Sequence, residues 1–393
     1  MAKRRGNNEG SITKRKDGRW QGYVIVGYNS ETGKPKKKYF YSKLRKEVQM
    51  KIEETRERVK SQTYRDIAKV TVAEWFSTWL NDYMKPSLRK TTWESYRYQV
   101  DGHIIPNLGH LKLIELQTHH LQNLYNEKLE SGRLDGRDGG LSPKSVRYIH
   151  TVIHSCLEQA KKENKIAINP ASTVKLPKYQ KPDIRYMKNE EIRDFLTQAK
   201  DSKFYIAFYL ALTTGMRRGE ILALRWQDID LDNHKVSVNQ SLVRVKEGGL
   251  IFQEPKTKLA KRTINISSHL FSLLQDHKER QNIVIKSEGK NYRSDLDLIF
   301  CNNLGEPICP RNFTRHFERL LKKAGLDRIP FHSLRHTYST ICLQEKVDIK
   351  TIQENLGHHS SAFTMDVYSS VTDKMKRDAS DKVDSLISTL MPE

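Results

Sequence analysis

Residues 331–368 read FHSLRHTYSTICLQEKVDIKTIQENLGHHSSAFTMDVY and gather cations, proton carriers and a phenol, a set that suits a phosphate better than a metal or a carbonyl. His332, Arg335 and His336 stand at i, i+3 and i+4, so a helix there places all three on one face. Leu356-Gly357 marks a helix stop, His358 follows it, and Tyr368 comes ten residues later. Two earlier segments carry matching chemistry. TTGMRRGE brings Arg217, Arg218 and Glu220 to an expected helix start, where guanidinium groups and backbone N–H donors together make a phosphate seat. PKTKLAKR brings Lys256, Lys258 and Lys261 to the tip of an expected hairpin.

Phosphoryl transfer without a metal requires a nucleophile, cations for the non-bridging oxygens and an acid for the leaving oxygen. A tyrosine, arginines with a histidine, and a lysine supply these in turn. The ordinary pKa of a phenol is about 10, so a nearby base or cationic field must help it attack at neutral pH. Metal chemistry fits worse. His332 and His336 have the spacing of a zinc helix, but the Ser-Leu-Arg between them lacks the glutamate of HExxH and adds a repelling cation. No GxxxxGK[ST] or GxGxxG is present to cradle a nucleotide, and no acids cluster near these motifs to hold Mg²⁺. The expectation is no metal and no cofactor.

The whole chain carries the charge that a polyanionic partner requires. Its 69 Lys and Arg against 47 Asp and Glu give +22, and residues 1–60 alone hold 18 against 7. This excess is not gathered on one amphipathic helix, which favours nucleic acid over a membrane surface. No apolar run approaches the roughly 20 residues that span a bilayer. MAKRRGNNEG lacks the apolar stretch of a signal peptide, so the expectation is a cytoplasmic protein with no membrane partner. The four cysteines have no zinc-ligand spacing and are expected as reduced, mostly buried thiols.

The elements that must position these groups follow from period and punctuation. The expected fold is multidomain, mainly α with small β elements. Residues 1–65 form a basic DNA-binding domain of three short strands and a helix, with Trp20, Tyr23, Ile25, Tyr28, Tyr39 and Tyr41 as β-forming bulk and the aromatic side chains in a small core. Residues 70–172 form a helical domain, in which Ser142 and Pro143 open a long helix. A Pro/Lys-rich linker spans 173–184, and residues 185–375 form a mixed α+β domain. There GLIFQEPKT and KRTINIS are expected to pair as a hairpin, DLIFCN and GEPICP as another, and MRRGEILALRWQDIDLDN to open a helix. Residues 376–393 make a tail helix with an apolar stripe, docking on its own core or on a neighbouring subunit.

The motifs resemble those of the tyrosine recombinases of the phage and conjugative-transposon integrase type. T-G-x-R-x-x-E stands as Thr214 to Glu220, H-x-L-R as His332 to Arg335 and L-G-H as Leu356 to His358, followed by a tyrosine. The layout before them is similar to the arm-site-binding sheet domain and helical core-binding domain of longer integrases. The resemblance implies that Arg217 and Arg335 clamp the scissile phosphate, with His332 as base or phosphate donor and His358 as a further donor. It implies Lys256 as general acid, Glu220 as the acidic residue orienting its neighbours, and Tyr368 as the nucleophile forming a 3′-phosphotyrosine. Lys258 and Lys261 stay open as alternatives to Lys256, and His336 is read as a supporting residue. The implied partners are double-stranded DNA attachment sites and a homotetramer on DNA, with a small excisionase and a host DNA-bending protein as further candidates. Two alternatives stand beside this reading: a type IB topoisomerase-like nicking and rejoining enzyme, and a catalytically inactive DNA-binding regulator.

Overall fold

The computed structural model describes residues 11–28, 33–60, 69–180, 185–255, 260–357 and 384. The chain divides into two compact units, residues 1–179 and 180–393. No helix among the described residues is long and apolar enough to cross a membrane.

The first unit begins with an antiparallel sheet in the order β1 (Ser11–Lys14), β2 (Trp20–Tyr28) and β3 (Pro35–Ser42), followed by α1 (Arg45–Lys60). Gly22 lets the helix approach, because a Cβ there would lie 2.6 Å from Ile52 Cδ1 and 2.8 Å from Val48 Cγ1. The small core is Val24, Val48 and Ile52, with Ile12, Trp20, Val26 and Phe40 packed against it. The tyrosines do not join it as expected. Tyr28, Tyr39 and Tyr41 are exposed, since the sheet has one helix-covered face and the other face is open.

The helical part runs from α2 (Val72–Thr78) through a π turn, Trp79–Met84, into α3 (Lys85–Ser87), and from α4 (Lys90–Gln99) through a second π turn, Val100–Ile104, into α5 (Ile105–Leu108). Pro86 and Pro106 follow these turns closely. Each lacks the N–H that would continue the α ladder, so the backbone widens ahead of it. Next come α6 (Thr118–Ser131) and α7 (Pro143–Lys162), the latter capped by Ser142 Oγ, which accepts from Ser145 N at 3.2 Å. Trp75, Phe76, Trp79, Ile104, Leu121, Tyr125 and Ile149 fill the core. The indole Trp75 Nε1 donates to Cys156 O at 3.2 Å, so the large ring is buried with its polar atom satisfied.

The second unit opens with α8 (Asn189–Ala199) and α9 (Tyr205–Thr214), the latter buried on nearly all sides as its apolar sequence predicts. After these come α10 (Arg218–Ile221), β4 (Ile229–Asp230), β5 (Lys235–Val238), β6 (Ser241–Val245), β7 (Gly249–Gln253) and β8 (Arg262–Asn265). Four helices complete it: α11 (Ser268–Glu288), α12 (Pro310–Lys323), α13 (Ser333–Gln344) and α14 (Ile349–Leu356). Phe195, Phe204, Phe208, Phe313, Phe317 and Phe331 form an aromatic centre whose neighbouring rings lie 5.1 to 6.4 Å apart.

Three local expectations are corrected here. The segments GLIFQEPKT and KRTINIS do not pair with each other. Instead β7 pairs with β6 and β8 with β5. The reason is a break at Asn239-Gln240, whose amides donate to Asp228 Oδ1 at 2.9 Å and Ala223 O at 2.8 Å and end β5 before β6 begins. The helix expected from MRRGEILALRWQDIDLDN is the single turn α10, because the chain then swings to pair Leu224 O with Ile299 N at 2.9 Å. The DLIFCN and GEPICP segments do turn back on one another, but through a single antiparallel Cys301–Pro307 bridge, with Asn302 N donating to Glu306 O at 3.0 Å, rather than as two regular strands.

Candidate active site

Helix α9 ends because Gly215 adopts the left-handed conformation, φ 63°, and turns the chain into Arg217, the N-cap of α10. Glu220 closes that first turn as a capping box, accepting from Arg217 N at 2.9 Å and from Arg217 Nη1 at 2.7 Å. The carboxylate is 5% exposed, and Arg262 of β8 reaches it from the other side, with Nη2 at 2.8 Å and Nη1 at 3.3 Å. Burial alone would raise the Glu220 pKa. Hydrogen bonds and charge from Arg262, then Arg217, outweigh it and hold the group at about 2.

Arg335 comes from α13 and is 1% exposed. Its Nη1 donates to Gly215 O at 2.7 Å and its Nη2 to Leu356 O at 2.5 Å, so it ties the end of α9 to the end of α14. Burial, followed by the charge of Arg217, drives this guanidinium down to about 8. His332 sits one turn earlier as the N-cap of α13, held between Phe331 in the aromatic centre and the buried Leu334. The residue borders the cleft, and desolvation by the protein around it, then the charges of His336, Arg335 and Arg217, push it down to about 4. His336 stacks edge-on to it, with ring centroids 4.9 Å apart.

Arg217, Arg218 and His332 line one cleft of about 700 Å³, with Ser241, Leu242 and Thr314. An adjoining cleft of about 610 Å³ is lined by Arg218, Arg244, Arg311, Arg315 and Arg328. Arg218 is exposed and donates to Thr314 Oγ1 at 2.6 Å, whereas Arg217 is held by Glu220. Another cavity, of about 640 Å³ beside His277 and Tyr292, contains none of these residues. A second phenol near the motifs, Tyr338 of α13, is buried, accepts from Asn355 Nδ2 at 2.9 Å and has its pKa pushed up by burial. Among the described residues no group of His, Cys, Asp and Glu could hold a metal ion.

The structure therefore brings Arg217, Glu220, His332 and Arg335 together. Lys256, Lys258, His358, Tyr368 and the tail stripe lie outside the described residues. Lys261 is surface-exposed and pairs with Glu254 at 3.2 Å. Arg262 was missed by sequence reasoning, since an arginine beside a lysine-rich tip looks like one more solvated cation.

The profile described as phage integrase family matches residues 185–375, and that described as phage integrase, N-terminal SAM-like domain, matches residues 71–129. The tyrosine recombinase XerC of Chlamydia pneumoniae is 30% identical over 244 residues, which cover 60% of this chain and 68% of that one. The chain belongs to the phage integrase family of tyrosine recombinases. This recombinase is also 28% identical over 380 residues to a tyrosine recombinase XerC-like protein of Caldanaerobacter subterraneus subsp. tengcongensis, covering 92% of this chain and 95% of the relative. In fold it is similar to the Tn1549 transposon integrase solved in complex with a circular intermediate DNA, with a TM-score of 0.64 and 20% identity over 80% of this chain and 100% of that one. The recombinase is a tyrosine site-specific recombinase of multidomain, mainly helical architecture with small sheets.

Proposed function

We propose that this recombinase integrates and excises a mobile element by cutting and rejoining duplex DNA at attachment sites, with Tyr368 as nucleophile. The Tyr368 hydroxyl gives its proton to His332 as base while its oxygen attacks the scissile phosphorus, the bond to the 5′ oxygen breaks, and Lys256 delivers a proton to that oxygen. The 3′-phosphotyrosine keeps the energy of the phosphodiester, so a 5′-hydroxyl of the second duplex reverses the step without ATP. Arg217 and Arg335 hold the non-bridging oxygens, His332 and His358 assist them, and Glu220 keeps Arg217 in place. Residues 1–65 bind arm sites, 70–172 the core site, and 185–375 carry out the chemistry. The tail, 376–393, packs on its own core or on a neighbouring subunit. Exchange between two duplexes calls for four subunits, hence a homotetramer on DNA in the cytoplasm, aided by a small excisionase and a host DNA-bending protein.

The observation that carries this reading is the placement of Arg335, a buried cation coupled to Arg217 and His332 and destabilised by both burial and like charge. A phosphodiester entering the cleft that Arg217 and His332 line would offset the positive charge packed around the buried Arg335, and the arginines of the adjoining cleft would meet the flanking backbone. The test is a nicked duplex taken from the attachment site of the element that carries this gene. A covalent protein–DNA adduct at Tyr368 is expected without Mg²⁺. An adduct that persists in Tyr368→Phe, or an absolute need for metal, would overturn the mechanism. Supercoil relaxation by a monomer without strand exchange would point to a topoisomerase-like enzyme instead.

A further inference from the structure

Arg262 touches two of the segments that build the site and begins the strand that follows the third. It opens β8, a few residues after Lys256 in the chain, and its side chain is 5% exposed. Its Nη2 and Nη1 donate to the two oxygens of Glu220 at 2.8 and 3.3 Å, and its Nε donates to Asn355 O at 2.5 Å. Glu220 in turn caps Arg217 through both backbone and side chain. Asn355 lies at the end of α14, where Leu356 O is taken by Arg335 and the chain runs on through Gly357 to His358.

We propose that Arg262 is a positioning residue for strand cleavage, holding Arg217 through Glu220 and the end of α14 through Asn355, so that the phosphate clamp and the end of α14 keep one spacing. The proposal rests on the functional reading above. Only a guanidinium serves this arrangement, because its planar fork donates in several fixed directions at once, whereas a lysine ammonium is a point charge on a flexible stem. A buried ion pair adds little stability over a well-packed apolar replacement, so what this pair contributes is the location of its partners.

The second consequence concerns ionisation. Glu220 faces Arg217 on its own turn, Arg262 from β8, and Arg335 and His332 from α13. Without Arg262, burial acts on the carboxyl with less opposition, so Glu220 takes up a proton at higher pH and releases its hold on Arg217.

The test uses the full chain as wild type, Arg262→Lys and Arg262→Met on the same nicked duplex, measuring DNA affinity and the single-turnover rate of adduct formation across pH. The expected result is unchanged affinity, a rate lowered about 100-fold in Arg262→Met, and an acid limb moved to higher pH. Arg262→Lys restores the limb and part of the rate. Wild-type rates and limbs in both variants overturn the proposal. So does loss of affinity in step with rate in both, which would make Arg262 only a support of the fold. A wild-type chain that forms no adduct sinks the functional reading instead.

Discussion

The Glu220 carboxyl stands at about 2 in the folded protein against an ordinary 4.5. A folded value below the unfolded one means stability that is present above about pH 4.5 and is lost as pH falls toward 2, worth roughly 3 kcal/mol for this group. Glu220→Gln removes that dependence and leaves Arg262 buried without its counter-charge. The expected loss at neutral pH is about 3–5 kcal/mol by urea denaturation, with a flatter acid limb than wild type. Wild-type pH dependence in the variant would refute this account of the pair. The residue scale also marks where legibility ended. Arg217, His332 and Arg335 stand in motifs that the family resemblance picks out, while Arg262 has no such motif. Its role depends on which strand it opens and what that strand packs against.

Among the elements, the end of α9 does the most to place the site, because Gly215 both turns the chain and offers its carbonyl to Arg335. A Cβ at Gly215 would meet Tyr338 Cδ1 at 2.6 Å and Leu356 Cδ2 at 2.7 Å, in addition to the left-handed φ of 63°. Gly249 has a similar φ of 69° but nothing within 4 Å. Gly249→Ala is therefore expected to cost about 1–2 kcal/mol, the backbone penalty alone. Gly215→Ala is expected to cost at least about 1–3 kcal/mol more through the clash and to slow cleavage with it. Equal denaturation midpoints for the two variants would contradict the packing argument. A helix end such as Leu356-Gly357 was legible because capping is local. Strand pairing was not. The split at Asn239-Gln240 is made by Asp228 and Ala223, partners that no alternation pattern reveals.

At the scale of the whole molecule, a net charge of +22 sets the terms of any encounter with DNA. Lys36, Lys37 and Lys38 are exposed on β3, and replacing all three with alanine is expected to weaken DNA binding by the full chain. The dependence of log K on log salt should become shallower by about 0.9 for each lysine that contacts a phosphate. An unchanged slope would remove β3 from the DNA-binding surface. The amino-acid sequence by itself determined the family, the residue types of the site and the order of sheet, helical and mixed segments. These are written in short spacings, in hydrophobic period and in caps, all of which act within a turn or two of chain. Only the tertiary structure decided that one buried carboxylate answers to two arginines and that Arg335 binds the ends of two helices. Those contacts join residues 42 and 120 positions apart, at distances where packing of the whole unit, not local pattern, selects the partner.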